Sequence, residues 1–314
     1  DLGGTGGSES DILVVSAGAT ANATNINSFT ATSSTRNDGT ANLTAKSGGA
    51  TIVVTNSAAG AYTITGGSGT DILTGGSGDD IIAIAAAGEG DADTINGGSG
   101  ANTLQLSTGA HSLTNNSKIS NIQTVTAHSS GSSVDLTNQA EAFTINGAAG
   151  TDVLKGGSGN DIITGQGGTD NLTGGSGNDT FNVDSGTDTI TDLGTGSDIL
   201  VVSSGATANA TNVSSFTASS ATRNSGTATL NAVGGGSTIN MSSSGLGGFT
   251  LAGNAGVDTL TGGSSNDIIT GAGGNDIIVG GAGNDTITGG ANNDSLTGSA
   301  GNDTFNVDSG TDTI

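Results

Sequence analysis

The sequence has no cysteine, no proline and no tryptophan, and only one tyrosine and six phenylalanines among its 314 residues. Without cysteine, disulfide bonds cannot stabilise a small core. The 32% of hydrophobic residues lies well below the roughly 45–50% apolar share of ordinary globular proteins, which argues against a conventional thick core. No apolar run approaches the ~18 residues that a membrane-spanning helix needs.

Positive charge is also scarce, because 5 Lys and Arg stand against 28 Asp and Glu, a net charge of -23. Five basic side chains cannot neutralise a phosphate backbone, so nucleic acid is excluded as a partner. An anionic membrane surface is excluded on the same ground. Only three of the acidic residues are Glu, and such an excess of Asp is typical of turns and of metal ligands.

A nine-residue repeat, such as Gly-Gly-Ala-Gly-Asn-Asp-Thr-Ile-Thr, occupies three blocks of the chain. Six consecutive copies fill residues 253–306, four fill 147–182, and two fill 66–83. Position six is Asp in every one of these copies and position eight is apolar. Including the weaker units that continue the frame, the position-six aspartates are Asp71, Asp80, Asp93, Asp152, Asp161, Asp170, Asp179, Asp188, Asp258, Asp267, Asp276, Asp285, Asp294, Asp303 and Asp312.

The composition of the repeat predicts a turn followed by a short strand. Its glycines suit positive φ and close backbone approach, and its last three residues are β-branched or apolar. Two repeats then form one coil of 18 residues, and stacked coils pair parallel strands at ~4.8 Å. Units 18 residues apart lie above one another, so Asp258, Asp276, Asp294 and Asp312 form one column, and Asp267, Asp285 and Asp303 form the other. A disordered glycine-rich linker, the alternative, would not keep a nine-residue frame.

Carboxylates in such a column repel each other unless a cation lies between them. Asp oxygens and backbone carbonyls suit Ca²⁺, which takes six to eight oxygen ligands. We therefore expect several calcium ions at the fifteen aspartates, and a chain that is largely unfolded without calcium. Asn102 stands where the frame requires Asp, so we expect a weak or empty site there.

The repeat, Gly-Gly-x-Gly-x-Asp-x-apolar-x, resembles that of the RTX (hemolysin-type calcium-binding nonapeptide repeat) family. The resemblance implies an all-β fold, a parallel β-solenoid in which calcium-bound β-roll blocks alternate with metal-free β-helix-like segments. It also implies ions shared by the aspartates of adjacent coils, and secretion by the type I route. Among RTX proteins, we expect the chain to be similar to bacterial S-layer or extracellular filament proteins.

Metal-free segments rich in Ser, Thr and Asn separate the blocks. Their short apolar runs still predict strands. Tyr62, Phe143 and Phe249 share one position in aspartate-free nonapeptides just before the three blocks, where we expect them to fill the coil that lacks metal. Surface aromatics of a separate domain are the alternative. We divide the chain into β segments 1–65, 106–146 and 192–252 and RTX blocks 66–105, 147–191 and 253–314.

A larger repeat underlies this division. Residues 11–45 recur at 198–232 with 27 identities in 35 positions, and residues 174–190 recur at 298–314. We therefore expect the sequence to belong to a longer tandem array.

Motifs of catalysis are missing from the sequence: it has neither His-Glu-x-x-His nor Gly-x-Ser-x-Gly. Its two histidines, His111 and His128, are expected to be solvent-exposed or turn residues. We predict no enzyme.

The predicted function is a calcium-stabilised extracellular structural protein on the bacterial surface, which forms a rod, filament or surface layer with copies of itself. The alternative is the repeat stalk of a larger secreted adhesin or toxin. Recurrent threonines at position nine make a cell-surface polysaccharide a further candidate partner.

Overall fold

The computed structural model describes residue 2 and residues 11–58, 60–85, 92–115 and 117–314. The chain divides into two compact units, residues 1–153 and 154–314. Each is a stack of short parallel strands, as in a β-solenoid, and the all-β fold expected from the sequence is confirmed. The finer division into six segments stays a prediction.

The described part of unit 1 contains sixteen strands and the start of a seventeenth, all in short segments of two to seven residues. They are β1 (Val14–Val15), β2 (Thr20–Ile26), β3 (Ser28–Thr30), β4 (Arg36–Asn37), β5 (Thr40–Ala45), β6 (Thr51–Val53), β7 (Tyr62–Thr65), β8 (Ile72–Thr74), β9 (Ile81–Ala83), β10 (Thr94–Asn96), β11 (Thr103–Gln105), β12 (Gly109–Ser112), β13 (Ile119–Ser120), β14 (Thr124–Thr126), β15 (Ser132–Asp135), β16 (Thr144–Ala148) and β17 (Val153–Lys155), the last of which contains the boundary. One sheet follows the order β2-β5-β7-β9-β11-β14-β16, and a facing one the order β3-β6-β8-β10-β13.

Unit 2 repeats this arrangement in a more regular form. Its strands are β18 (Ile162–Gln166), β19 (Asn171–Thr173), β20 (Thr180–Val183), β21 (Thr187–Ile190), β22 (Ile199–Val202), β23 (Thr207–Val213), β24 (Ser215–Thr217), β25 (Arg223–Asn224), β26 (Thr227–Ala232), β27 (Thr238–Asn240), β28 (Thr250–Ala252), β29 (Thr259–Thr261), β30 (Ile268–Gly273), β31 (Ile277–Ala282), β32 (Thr286–Ala291), β33 (Ser295–Ala300) and β34 (Thr304–Asn306). One sheet runs β19-β21-β23-β26-β28-β30-β32-β34 and another runs β24-β27-β29-β31-β33.

The core is narrow where strands are short, because a three-residue strand such as β28 or β29 turns only its middle side chain inward. In unit 2, Ile269 pairs with Ile287, and Ile287 with Phe305, on one sheet. Leu260 and Ile278 form the corresponding row on the other sheet. Side chains at position eight therefore pack above one another every 18 residues, as the repeat predicts.

The glycine-rich half of each repeat forms the turn at a coil edge. Gly283, at position four of its repeat, has a φ of 125°, a conformation that favours glycine. A Cβ on Gly283 would also lie 2.6 Å from the carbonyl of Ser265 in the preceding coil. The turns are thus shaped by conformation and by close stacking together.

The Ser- and Thr-rich repeat of the sequence is also a structural repeat. Strands β2 and β5 pair in register up to Ala23 and then shift around Asn25, whose φ is 59°. Strands β23 and β26 show the same shift around Asn212, with a φ of 58°. Both copies therefore carry the same bulge in a longer coil.

Candidate metal sites at the coil edges

Aspartates at position six lie in columns along the coil edges. In unit 2 the N–H of Asp258 donates to Oδ1 of Asp276 at 2.8 Å, and the N–H of Asp276 donates to Oδ1 of Asp294 at 2.8 Å. The same bond joins Asp294 to Asp312, Asp267 to Asp285, Asp285 to Asp303, Asp161 to Asp179, Asp170 to Asp188 and, in unit 1, Asp71 to Asp93. Both columns that the 18-residue spacing predicts for the last block are therefore present.

Thirteen of the fifteen predicted aspartates are buried, and only Asp303 and Asp312 are partly exposed. Burial of an ionised carboxylate is costly unless the charge is paired or its oxygens are hydrogen-bonded. One backbone bond at Oδ1 satisfies only part of this requirement. Whether a turn needs a further partner therefore depends on whether the second oxygen, Oδ2, has a hydrogen-bond donor.

The first two aspartates of each block satisfy Oδ2 within their own turn. Oδ2 of Asp258 accepts the N–H of Asn254 at 2.9 Å, and Oδ2 of Asp267 accepts that of Gly263 at 2.6 Å. The same bond, to the N–H four residues earlier, occurs at Asp71, Asp80, Asp152 and Asp161. These turns are closed without further help.

Aspartates deeper in the blocks differ in this respect. Within the described residues, the buried Oδ2 atom has no hydrogen-bond partner at Asp179, Asp276, Asp285, Asp294 and Asp312. An ionised, buried oxygen without a donor is strongly destabilising, and a cation is the partner that removes the penalty.

Position-one glycines make room for this oxygen. An ideal Cβ on Gly271 would lie 2.2 Å from Oδ2 of Asp276 and 2.6 Å from the carbonyl oxygen of Gly289 in the next coil. On Gly280 it would lie 2.4 Å from Oδ2 of Asp285 and 2.8 Å from a carbonyl oxygen. A carboxylate oxygen and a carbonyl oxygen thus converge on a space that only glycine leaves open.

The charged form of these carboxylates is disfavoured in the folded chain. Burial, together with the nearby carboxylates of Asp161, Asp198 and Asp192, raises the pKa of Asp179 to about 7. Burial together with the neighbouring Asp170 raises the pKa of Asp188 to about 7. For Asp276 burial, with Asp294 and Asp258 nearby, raises the pKa to about 6. The columns therefore need protons or cations.

The donor set fits calcium. Among the described residues, no three His, Asp or Glu side chains come close enough together to hold a metal ion. An ion at these turns would take an aspartate oxygen together with backbone carbonyl oxygens, and hard oxygen ligands of this mixed kind are those that Ca²⁺ takes. Asp276 with the Gly289 carbonyl, and Asp285 with the Gly298 carbonyl, are the oxygens that would hold an ion in the last block.

Two further aspartates belong to this network, although the nonapeptide frame does not include them. Asp198 continues a column, because its Oδ1 accepts the N–H of Asp179 at 2.9 Å and its Oδ2 accepts that of Gly194 at 2.8 Å. Asp192 accepts the N–H groups of Gly174 and Gly175 at 3.0 and 2.6 Å. The signal for Asp198 is present in Leu-Gly-Thr-Gly-Ser-Asp, where only the first glycine of the repeat is missing.

The aromatic residues expected in the metal-free coils are buried at position six. Tyr62 is 2% exposed and Phe249 2%, and each donates its N–H to an aspartate Oδ1, of Asp80 at 2.6 Å and Asp267 at 2.7 Å. Phe143 is 3% exposed. An aromatic side chain therefore precedes an aspartate in these columns, and the alternative of surface aromatics is wrong.

The expectation for the histidines is wrong at His111. This side chain is 1% exposed on β12, and its Nε2 donates to the Ser107 carbonyl at 2.9 Å. His128 lies in a turn, with Nδ1 3.0 Å from the Ser130 hydroxyl. A single His in a Ser- and Thr-rich segment gave no sign of facing inward.

Together, these features define a calcium-binding repeat solenoid, a structural fold rather than a catalytic one. The profile of the RTX calcium-binding nonapeptide repeat, built on four copies, matches residues 59–83, 87–110, 146–181, 156–190, 252–287 and 279–314. These segments cover half of the chain, which therefore belongs to this family. A search of curated proteins finds no match. Across the residues described, no helix has the length and apolarity to cross a bilayer.

Proposed function

We propose that this chain is a calcium-stabilised structural protein of the bacterial exterior, and not an enzyme. The observation that carries the proposal is the set of buried Oδ2 atoms without a partner, two of which, at Asp276 and Asp285, lie near a carbonyl oxygen of the next coil. Such a column is unstable alone and rigid once cations join its coils. Calcium is abundant outside cells and scarce in the cytosol, so a protein built in this way would fold after secretion.

The ions are proposed at the position-six aspartates. Those with a partnerless Oδ2, including Asp276 and Asp285, are the strongest sites. The first aspartates of a block, such as Asp258, would contribute an oxygen less readily because their own turn already occupies it.

Calcium titration of the full chain tests this part of the proposal. In a chelator we expect circular dichroism to show a largely unfolded chain, and calcium to restore the β spectrum with several ions bound by calorimetry. Magnesium at the same concentration serves as the control, because Mg²⁺ demands a stricter octahedral geometry. A β spectrum that is the same with and without calcium would contradict the proposal.

Assembly into a rod, filament or layer is supported by the edge of β34. This strand lies last in its sheet and offers unpaired backbone groups to a further strand, whereas β33 is already bridged by Thr313 at Ser295. Val307 and Ile314 beside them are 56% and 66% exposed. A second copy of the chain, stacked end to end, would cover both.

A repeat stalk within a larger secreted adhesin or toxin is the second candidate. It would use the same edge of β34, covered by further repeats of one chain rather than by another copy. Electron microscopy of the purified chain with calcium separates the two. Regular fibres or sheets support assembly, whereas isolated short rods support the stalk.

A charged substitution tests which contact forms the fibres. Val307→Lys would abolish end-to-end fibres, because it places a cation beside the last strands. Val257→Lys is the matched control, since Val257 is 61% exposed and lies in a turn between β28 and β29. Fibres that survive Val307→Lys would show lateral assembly instead.

A further inference from the structure

The turn at residues 97–105 differs from its neighbours at position six, where Asn102 replaces Asp. Asn102 is fully buried, and its Oδ1 accepts the N–H of Asp80 at 2.9 Å, so the column continues through it. Because Oδ1 faces this N–H, the amide nitrogen faces the other way. There Nδ2 donates to the carbonyl of Asn121 at 3.0 Å and approaches that of Gly100 at 3.4 Å.

This nitrogen occupies the space that an aspartate oxygen occupies elsewhere. An ideal Cβ on Gly97 would lie 2.1 Å from the Asn121 carbonyl oxygen and 2.6 Å from Nδ2 of Asn102. On Gly271, at position one of the Asp276 repeat, it would lie 2.6 Å from the Gly289 carbonyl oxygen and 2.2 Å from Oδ2 of Asp276, an oxygen without a hydrogen-bond donor. The spaces beside these two glycines are alike, except that the atom facing the carbonyl oxygen is a hydrogen-bond donor, Nδ2, at Asn102 and an acceptor, Oδ2, at the aspartate.

The replacement of an aspartate oxygen by an amide nitrogen changes which partner the turn needs. A carboxylate oxygen facing a carbonyl oxygen gives two acceptors and no donor, so a cation must hold them together. A side-chain amide brings two N–H donors, which satisfy the carbonyls directly. An N–H₂ group also offers no lone pair that Ca²⁺ would bind.

The same contact closes coils outside the repeat blocks. Nδ2 of Asn224 donates to the Gly248 carbonyl at 2.6 Å, and Asn37, its counterpart in the other Ser- and Thr-rich copy, donates to Ala61. Nε2 of Gln139 donates to the Leu113 carbonyl at 2.5 Å. Each of these side chains is buried, and each contact joins residues 24 or 26 positions apart.

We propose that position six selects between two ways of closing the coil edge. Aspartate leaves an oxygen for calcium, whereas asparagine closes the turn by hydrogen bonds, so the turn at 97–105 holds no ion and is independent of calcium. Asn102→Asp alone would convert it into a calcium site. This inference rests on the proposed binding of calcium at the aspartates.

The test compares the full-length wild type with Asn102→Asp and Asn115→Asp. Asn115 is exposed and acts only as an acceptor, from the N–H and hydroxyl of Ser117, so its substitution adds the same charge without removing a needed donor. We expect calorimetry to give one more bound calcium for Asn102→Asp than for the wild type or Asn115→Asp. At a limiting calcium concentration that keeps the wild type folded, Asn102→Asp should melt at a lower temperature than both, and saturating calcium should remove the difference.

Asn102→Ala keeps the test decisive if the charged variant folds poorly. It removes the donor without supplying a ligand, so its loss of melting temperature should be the same in saturating and in limiting calcium. The inference is overturned if Asn102→Asp binds no additional ion, or if calcium rescues Asn102→Ala equally well. Failure of the wild type to bind calcium would instead overturn the proposed function.

Discussion

At the scale of single residues, the fold depends on pairs of unlike residues five positions apart. The aspartate supplies a carboxylate, and the glycine at position one supplies the space for it, as Gly271 does for Asp276. The glycine is therefore not required for its turn conformation alone. Its missing side chain keeps two oxygens of adjacent coils within reach of one ion.

Gly271→Ala tests this role directly. The added Cβ would lie 2.2 Å from Oδ2 of Asp276, so we expect a loss of about 1–3 kcal/mol in the free energy of unfolding with calcium present. Calcium affinity should fall as well. Thermal unfolding and calorimetry measure the two effects.

Gly234→Ala is the matched control, because its Cβ would have no atom within 4 Å. We expect it to stay within about 0.5 kcal/mol of the wild type. Equal behaviour of the two variants would contradict the role given to position one.

At the scale of elements, strand and turn carry different kinds of stabilisation. In the last block, strands such as β30 and β32 bury one large apolar side chain each, Ile269 and Ile287, and this packing repeats from coil to coil. The turns differ from one another, because in some the aspartate Oδ2 accepts a backbone N–H and in others it has no hydrogen-bond partner. Calcium dependence is therefore a property of particular turns.

Asp276→Asn should make one turn independent of calcium. The amide nitrogen would lie near the Gly289 carbonyl oxygen and donate to it, as Asn102 does to Asn121. We expect a higher melting temperature in limiting calcium than for the wild type, and fewer ions bound at saturation. Asp258→Asn, at the start of the same column, would lose the bond from the Asn254 N–H and should not gain stability. Equal losses of melting temperature in the two variants would contradict the idea that an asparagine amide can replace calcium at Asp276.

The aromatic coil before the last block should act through packing alone. Phe249→Ala removes a side chain that is 2% exposed, at an expected cost of about 3–5 kcal/mol, and calcium should not reduce that cost. Phe305→Ala, on the partly exposed strand β34, should cost less. Chemical denaturation with and without calcium measures both; rescue of Phe249→Ala by calcium would contradict this account.

Most of the fold could be predicted from the sequence because each copy of the repeat carries the same pattern of turn and strand residues. Every copy gives the same strand, and the 18-residue coil places Asp258 and Asp276 in one column without any structural knowledge. Asp198 was missed because Leu193 stands where the frame expects glycine. The difference between Oδ2 of Asp258 and that of Asp276 could not be predicted either, since both copies share the motif and only their place in the stack differs.

At the scale of the whole molecule, charge is the dominant problem. A net charge of -23 on 314 residues opposes compaction, and the buried aspartates concentrate part of it at the coil edges. Either calcium or protons can reduce this repulsion. Protons and calcium compete for the same carboxylates, because a protonated carboxyl is a poor calcium ligand.

The pH dependence in chelator follows from the raised pKa values. Asp179 and Asp188 have pKa values of about 7, and Asp267 and Asp276 of about 6, against 3.8 in the unfolded chain. The folded chain therefore binds more protons than the unfolded chain between about pH 4 and 7, so its stability falls as the pH rises through that window. Without calcium, we expect circular dichroism to show a larger folded fraction at pH 5 than at pH 8.

Calcium binding depends on pH in the opposite direction from the stability of the calcium-free chain. Lowering the pH from 8 to 5 protonates these carboxyls, so the apparent affinity for calcium should decrease. Circular dichroism in chelator and calcium titrations at both pH values provide the measurement. A chelated chain that is less stable at pH 5 than at pH 8 would contradict the assigned protonation.

The in-register stacking of the coils also bears on how the gene can change length. Removal of 18 residues from the last block, such as 271–288, takes out one whole rung and leaves every later side chain facing the same way. Removal of nine residues would instead move each later strand to the opposite sheet. Repeat number can therefore expand or contract in steps of two nonapeptides without redesign of the surfaces, and length becomes a freely adjustable trait.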